Sequence, residues 1–432
     1  MNPFFNHACG TSDHWSRRTL LKTAGLSGLG WLTPLADSLA IQSEKNRTRP
    51  RSVILLWMQG GISQLDTFDP HPDTEVAYGA RTIKTALPGI QLGESLVQTA
   101  ELLPEMTLVR SMVSLEGDHE RAMYQAKTGY RINPSVLHAS LGSIICHELP
   151  DSQLDIPTHV SILPSQWPAR GGYLGAQWDA FKIGDPTQAI PDVSSRVDDE
   201  RTKQRLADLN VVEGAFAQGR AANLGSERTL HRDLMAKARR MMSSDQLAAF
   251  DVKQAPAAER DAYGDTPFGR GCLAAVRLIE SGVRCVEVTL NGWDTHANNA
   301  EGQQTQAAIL DTAMAALIRD LKNRDLLDET IVVCGSEFGR TPKQNPLEGR
   351  DHWPHGFSIA LAGGGFRKGY VHGSTSPSME KTEPADKVMV ADIHATIQHA
   401  LGIDPEYEYM TPANRPIAFS EGRVRRELLA DA

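Results

Sequence analysis

The sequence predicts an α/β fold, a mostly parallel central sheet with helices on both faces and a helical insertion. Short apolar, β-branched runs that end in Gly or Asn recur along the chain. Stretches with helical spacing of apolar residues lie between them. Strands that alternate with helices in this way form parallel sheets, whose chemistry gathers on the loops after the strands' carboxyl ends.

In chain order, the first element is a leader. Ser16, Arg17, Arg18, Thr19, Leu20, Leu21 and Lys22 fall in the order of a twin-arginine signal, and a Gly-rich, weakly apolar stretch follows from Ala24 to Leu35. Residues 1–40 are therefore expected to be a signal peptide, with the domain proper over 41–432. The apolar stretch is shorter than the about 20 residues that span a bilayer, and no later run reaches that length. An exported protein without a transmembrane domain is expected, in the periplasm or outside the cell.

The first strand-like run is Ser52 to Met58, closed by Gln59-Gly60-Gly61. Others are Cys285 to Leu290, Thr330 to Cys334 and Phe357 to Ala362, the last followed by Gly363-Gly364-Gly365, read as a tight turn. Helical spacing appears from Gly271 to Ser281 and from about Gln303 to Leu327, where Ala307, Ile309, Leu310, Ala313, Met314, Leu317, Ile318 and Leu321 recur at helical spacing. Residues 185–262 differ: charges and alanines abound and strand formers are few. Their stripe of Leu206, Leu209, Val212, Leu230, Leu234, Met241, Met242 and Leu247 reads as a helical insertion that covers one side of the core.

Composition removes whole classes of function. The formal net charge is -9 and no long basic run interrupts it, so a phosphate backbone is not an expected partner. Of five cysteines, Cys9 lies in the leader, and Cys146, Cys272, Cys285 and Cys334 have no metal-ribbon or haem spacing. Zero to two disulfides are possible; Cys285 and Cys334, within apolar runs, read as small buried core residues, and a redox carrier is disfavoured.

Acids and histidines cluster after the strand-like runs. Asp66 and Asp69 follow Gly60-Gly61, and His119 lies in Gly117-Asp118-His119-Glu120-Arg121. Asp294 and His296 follow the second strand-like run, Cys285 to Leu290. Glu337 and Arg340 follow the next, ahead of Asp351, His352 and His355. Singly, each is an ordinary polar loop; together they place carboxylates and imidazoles at several strand ends that converge in space. A mixed oxygen and nitrogen donor set suits one or two divalent ions, with Zn, Mn, Ca and Mg not distinguished. The expected ligands are Asp66, Asp294, His296, Glu337, His352 and His355. Arg121 and Arg340 could clamp an anion, or pair with neighbouring acids. Trp293 and Trp353 flank the acids and histidines.

Five motifs carry a family resemblance: the run from Val53 to Pro70, Gly292 to His296, Ser336 to Pro342, Gly349 to Pro354, and Gly363 to Gly369. Together they resemble the bacterial DUF1501 family over nearly the whole mature chain. That family is distantly similar to the alkaline phosphatase and sulfatase superfamily, which implies a bimetal site over a parallel sheet and cleavage of phosphate or sulfate esters. The resemblance puts Asp66 at the acid after the first strand and His119 at the nucleophile's place ahead of Thr128-Gly129. Asp294 and His296 resemble the superfamily's Asp with a nearby His, and His352 or His355 its final His. Two departures stand out: His119 replaces a hydroxyl nucleophile, and Glu337-Phe338 stands where an Asp-His pair is usual. An imidazole there could attack phosphorus directly, or ligate a metal and leave a water to attack; Ser111 and Ser114 are alternative nucleophiles.

The resemblance thus implies a metal-dependent hydrolase of phosphate or sulfate esters, its substrate a sulfated or phosphorylated carbohydrate or lipid, with His119 and Arg340 as catalytic groups. The alternative is a non-catalytic metal-binding or scaffold protein that keeps the fold.

Overall fold

A computed structural model describes residues 50–167, 169–190, 192–217, 231–376 and 383–430. The expected leader lies outside the described residues. Nine strands form the main sheet: β1 (Ser52–Met58), β2 (Met106–Val113), β3 (His159–Ile162), β4 (Phe181–Ile183), β5 (Cys285–Leu290), β6 (Thr330–Gly335), β7 (Phe357–Gly363), β8 (Tyr370–His372) and β9 (Val388–Met389). Their order is β8-β2-β7-β6-β1-β5-β3-β4, with β9 also paired to β2. In the middle, Val53 of β1 pairs in parallel with Cys285 of β5 on one side and with Ile331 of β6 on the other.

One strand runs backwards. β7 is antiparallel to both β6 and β2. Among the described residues no helix lies between β6 and β7 to carry the chain back to the sheet's amino edge, so β7 starts where β6 ends. Residues 336–356 therefore stay at the carboxyl edge, where the acids and histidines lie.

Side chains alternate along the strands, so the sheet feeds two cores. Ile54, Leu56 and Met58 join a core with Leu273, Val276, Leu310, Met314 and Leu317, from helices α5 (Pro267–Glu280) and α6 (Asn299–Asn323). Val53, Val109 and Leu361 face the other side, against Ile144 and Ile145 of α2 (Leu141–Glu148) and Ile393 and Ile397 of α7 (Val390–Ala400). Helices α1 (His119–Thr128), α3 (Asp199–Ala217) and α4 (His231–Met242) complete the set used below.

The insertion covers less of the core than its stripe suggested. Met241, Ala249, Phe250 and Val252 are buried, but Val212, Leu234 and Met242 are exposed; Leu230 lies outside the described residues. Among the described residues of the insertion, Met241, Ala249, Phe250, Val252 and Ala255 join the core where α4 ends and in the turns after it, and Ile190 and Val193 pack partly buried against the same core. The four described cysteines are free and buried. No described helix is long and apolar enough to cross a membrane.

Candidate metal centre

The centre is built from the carboxyl ends of β1, β2, β5 and β6. After β1 the chain turns through Gly60 and Gly61, both at positive φ. A Cβ on Gly60 would stand 2.5 Å from the Asp294 amide nitrogen, and one on Gly61 would stand 2.8 Å from the Phe338 ring. Glycine at both places lets the loop after β1 lie directly against those after β5 and β6.

After β5 the chain turns tightly, the Thr295 amide donating to the Trp293 carbonyl at 3.0 Å, and buried and exposed side chains alternate. Trp293 and Thr295 are buried, whereas Asp294 and His296 project to the surface, each nearly half exposed. Asp294 is held from below by Arg340, whose Nη2 lies 2.6 Å from Asp294 Oδ1. That guanidinium is fully buried and also donates from Nε to the Gly61 carbonyl (3.0 Å), from Nη1 to the Arg350 carbonyl (2.9 Å) and from Nη2 to the Gly60 carbonyl. It is thereby committed to protein acceptors and to Asp294, which leaves it a positioning group with no face toward a substrate.

Three imidazoles surround Asp294. His119 opens α1, whose N-cap Asp118 accepts from the Arg121 amide. His119 Nδ1 lies 2.8 Å from Glu337 Oε1, and its Nε2 approaches Asp294 Oδ2 at 3.3 Å. His352 pairs with Arg340 across a two-residue antiparallel ladder, Gly339–Arg340 against His352–Trp353, and its ring stacks on Phe338 at 4.4 Å between centroids. Its Nδ1 is 2.8 Å from the Gly117 carbonyl and its Nε2 3.4 Å from Asp294 Oδ1. His296 places Nδ1 2.8 Å from Asp351 Oδ1 and Nε2 3.1 Å from Asp294 Oδ1.

One rule unites the three rings. Each Nδ1 faces an acceptor, a carboxylate or a carbonyl, and therefore carries the proton; each Nε2 turns its lone pair toward Asp294 when the ring is neutral. His296 Nε2 and His352 Nε2 stand 3.0 Å apart. Two acceptor lone pairs and a carboxylate oxygen at that spacing repel one another unless a proton or a cation lies among them. Rings oriented by a carboxylate or carbonyl at the far nitrogen are the usual outer shell of metal-bound histidine. His119, Asp294 and His352 can each offer an atom within 4.8 Å of the others'. Glu337 Oε2 is fully buried without a hydrogen-bond partner.

The electrostatics follow. The carboxylates of Asp294 and Glu337 push His119 up to about 9, overcoming its burial. Burial works against ionisation of Asp294, but hydrogen bonds from His119, His352 and Arg340 outweigh it and hold that carboxyl well below the ordinary range. His296 lowers Asp351 in the same way.

The structure thus brings together His119, Asp294, His296, Glu337, Arg340 and His352, and leaves two expected ligands apart. Asp66 is tied to Ser63 Oγ, to Asn299 Nδ2 at 2.9 Å and to Arg350 at 3.6 Å. His355 packs edge-on against Trp353 and lies 4.0 Å from Glu383. Glu337 stands behind His119, with Oε1 also accepting from the Gly60 amide at 3.0 Å. Asp351 is not among the ligands expected from the sequence, although its place next to His352 in Gly349 to Pro354 is the available signal.

A family model described as "Protein of unknown function (DUF1501)" matches residues 50–429. The chain belongs to this family. Among curated proteins none matches the DUF1501 chain. Solved structures similar to it include the PsFucS1 sulfatase from Pseudoalteromonas sp., at 13% identity and a TM-score of 0.39, covering 87% of this chain and 72% of that one. The C-terminal periplasmic domain of EcEptC from Escherichia coli, in complex with Zn, is similar at 11% identity and a TM-score of 0.39, with 89% and 96% covered. The alkaline phosphatase from the Antarctic bacterium TAB5 is similar at 14% identity and a TM-score of 0.35, with 82% and 99% covered.

Proposed function

We propose that this protein is an exported, metal-dependent hydrolase of phosphate or sulfate esters. The observation that carries the metal half of this reading is the convergence of three Nδ1-tethered imidazoles on one carboxylate. His119, Asp294, His296 and His352 would hold the ion, and three neutral nitrogens with one oxygen suit zinc or a similar borderline ion. When bound, such an ion acts as a Lewis acid on an ester oxygen.

The protein's own residues prepare that place. Glu337, Asp351 and the Gly117 carbonyl fix the three ring orientations, and Arg340 fixes Asp294. With Asp294, Glu337, Asp351 and Arg340 counted, a divalent ion leaves the centre close to neutral, and the ion itself is the positive point that an anionic ester would meet. The half-exposed Asp294 and His296 set it at the surface, where a bulky carbohydrate or lipid head group can reach it. The leader motif and the motif resemblance read from the sequence support the export and ester parts of the proposal.

The test is metal analysis of purified protein alongside hydrolysis of aryl sulfate, aryl phosphate and aryl phosphodiester. Turnover that disappears with chelator and in His352→Ala supports the reading. Stoichiometric metal without turnover on any ester supports the non-catalytic metal-binding alternative, which the commitment of Arg340 to protein acceptors favours. Failure of the folded protein to bind any divalent ion removes both.

A further inference from the structure

We infer that helix α4 docks the protein on an anionic lipid surface. Over the part of α4 whose side chains are described, residues 234–242, Leu234, Met235, Ala238, Met241 and Met242 fall on one face at helical spacing. Lys237, Arg239 and Arg240 fall on the rest, and no acidic residue lies in this stretch. Met241 is buried and fastens the end of the helix to the body. Leu234, Met235 and Met242 stay exposed, at 42%, 36% and 38%.

The basic side chains are lightly held. Lys237 Nζ stands 5.8 Å from the centre of the Trp178 ring, and Arg240 Nε lies 3.8 Å from an Asp155 oxygen. The Arg239 guanidinium has no partner among the described residues. A helix with an uncovered apolar edge beside a cationic face has the signature of one that lies in the plane of a membrane interface.

Charge decides between a lipid surface and a second copy of the chain. A two-fold contact between α4 helices sets each patch against its own kind, so Lys237, Arg239 and Arg240 would meet the same three cations. Anionic head groups would instead neutralise them while the Leu and Met side chains enter the acyl boundary. The net charge of -9 on the whole chain is screened beyond about 8 Å at physiological salt, so attraction is confined to this helix.

The experiment is flotation of the full mature chain with phosphatidylcholine vesicles, with and without phosphatidylglycerol. Binding is expected only to the anionic vesicles and should weaken as salt is raised. The triple variant K237Q/R239Q/R240Q should bind them on the order of 100-fold more weakly. Leu234→Ser combined with Met235→Ser should also bind less, with unchanged circular dichroism and metal content. Equal binding to both vesicle types, no binding to either, or undiminished binding by the triple variant overturns the inference. A concentration-dependent dimer broken by Leu234→Ser, with no lipid dependence, overturns it in favour of self-association.

Discussion

Metal affinity should depend on pH through His119, in a direction that the geometry fixes. Asp294 and Glu337 raise this imidazole from the ordinary 6.5 to about 9, so in the metal-free protein it is protonated at neutral pH. A cation must displace that proton before Nε2 can bind it. At pH 7 the displacement spans about two pH units, which weakens the apparent affinity roughly 100-fold relative to pH 9. The dissociation constant for zinc, measured by competition with a chromophoric chelator, should therefore fall about tenfold per pH unit from 7 to 9 and level off above. Glu337→Gln removes one of the two carboxylates that hold the proton, so its plateau should begin at lower pH. A wild-type profile flat from pH 7 to 9 refutes the reasoning, because His119 would then not lie in the metal's path. In the metal-free protein the same shift bears on stability. Because the folded value is raised, the stabilisation from His119 is fully present below about pH 6.5 and is lost as pH climbs through 9.

Further expectations concern neighbouring groups. Asp294→Asn should lose bound metal and lower stability by about 1–3 kcal/mol, since it weakens the charged partner of Arg340; metal analysis and urea denaturation check both. Arg340→Lys should cost about 3 kcal/mol or more, because an ammonium cannot reach the four acceptors that the buried guanidinium serves. Gly60→Ala should destabilise by about 2 kcal/mol or more and reduce metal content, since its Cβ meets the backbone of the Asp294 loop. His394 is buried against the Ala126 carbonyl, and burial depresses it to about 4. Its neutral form is favoured by folding, so stability should fall between pH 6.5 and 4, by at most about 3 kcal/mol from this group. Acid unfolding of His394→Gln should show a shallower slope in that window.

Much of this architecture could be read from residue order, and the exceptions have physical causes. The four apolar runs are strands, and the two long helical patterns cover one face, because periodicity reports burial directly. Periodicity does not report direction, so the reversal of β7 was invisible without the pairing. Among the site residues, Asp294 and His296 were legible because they closely follow a strand end and lie two residues apart in one loop. Asp66 follows a strand too, but the loop carries it back toward Asn299 and Arg350, a turn that only the fold can specify. Glu337 was expected beside the ion. It lies behind His119 instead, since the sequence shows that a carboxylate is near but not which of its neighbours it reaches first.

The reversal of β7 has a bearing on how the family can diversify. Both ends of the segment 336–356 are anchored at one edge, and its base is pinned by the pairing of Arg340 with His352. The stretch between is held by the loop after β5 rather than by the sheet: the Leu347 and Glu348 carbonyls accept from the Asn298 and Asn299 amides, and Asn345 Nδ2 donates to the His296 carbonyl at 3.0 Å. Insertions ahead of Asn345 would leave those contacts, and with them His296 and Asp351, in place, whereas insertions after it would shift them. Changes of length at residues 343 and 344 should therefore leave metal content unaltered while changes at 345–348 lower it, which metal analysis of the two sets of variants checks.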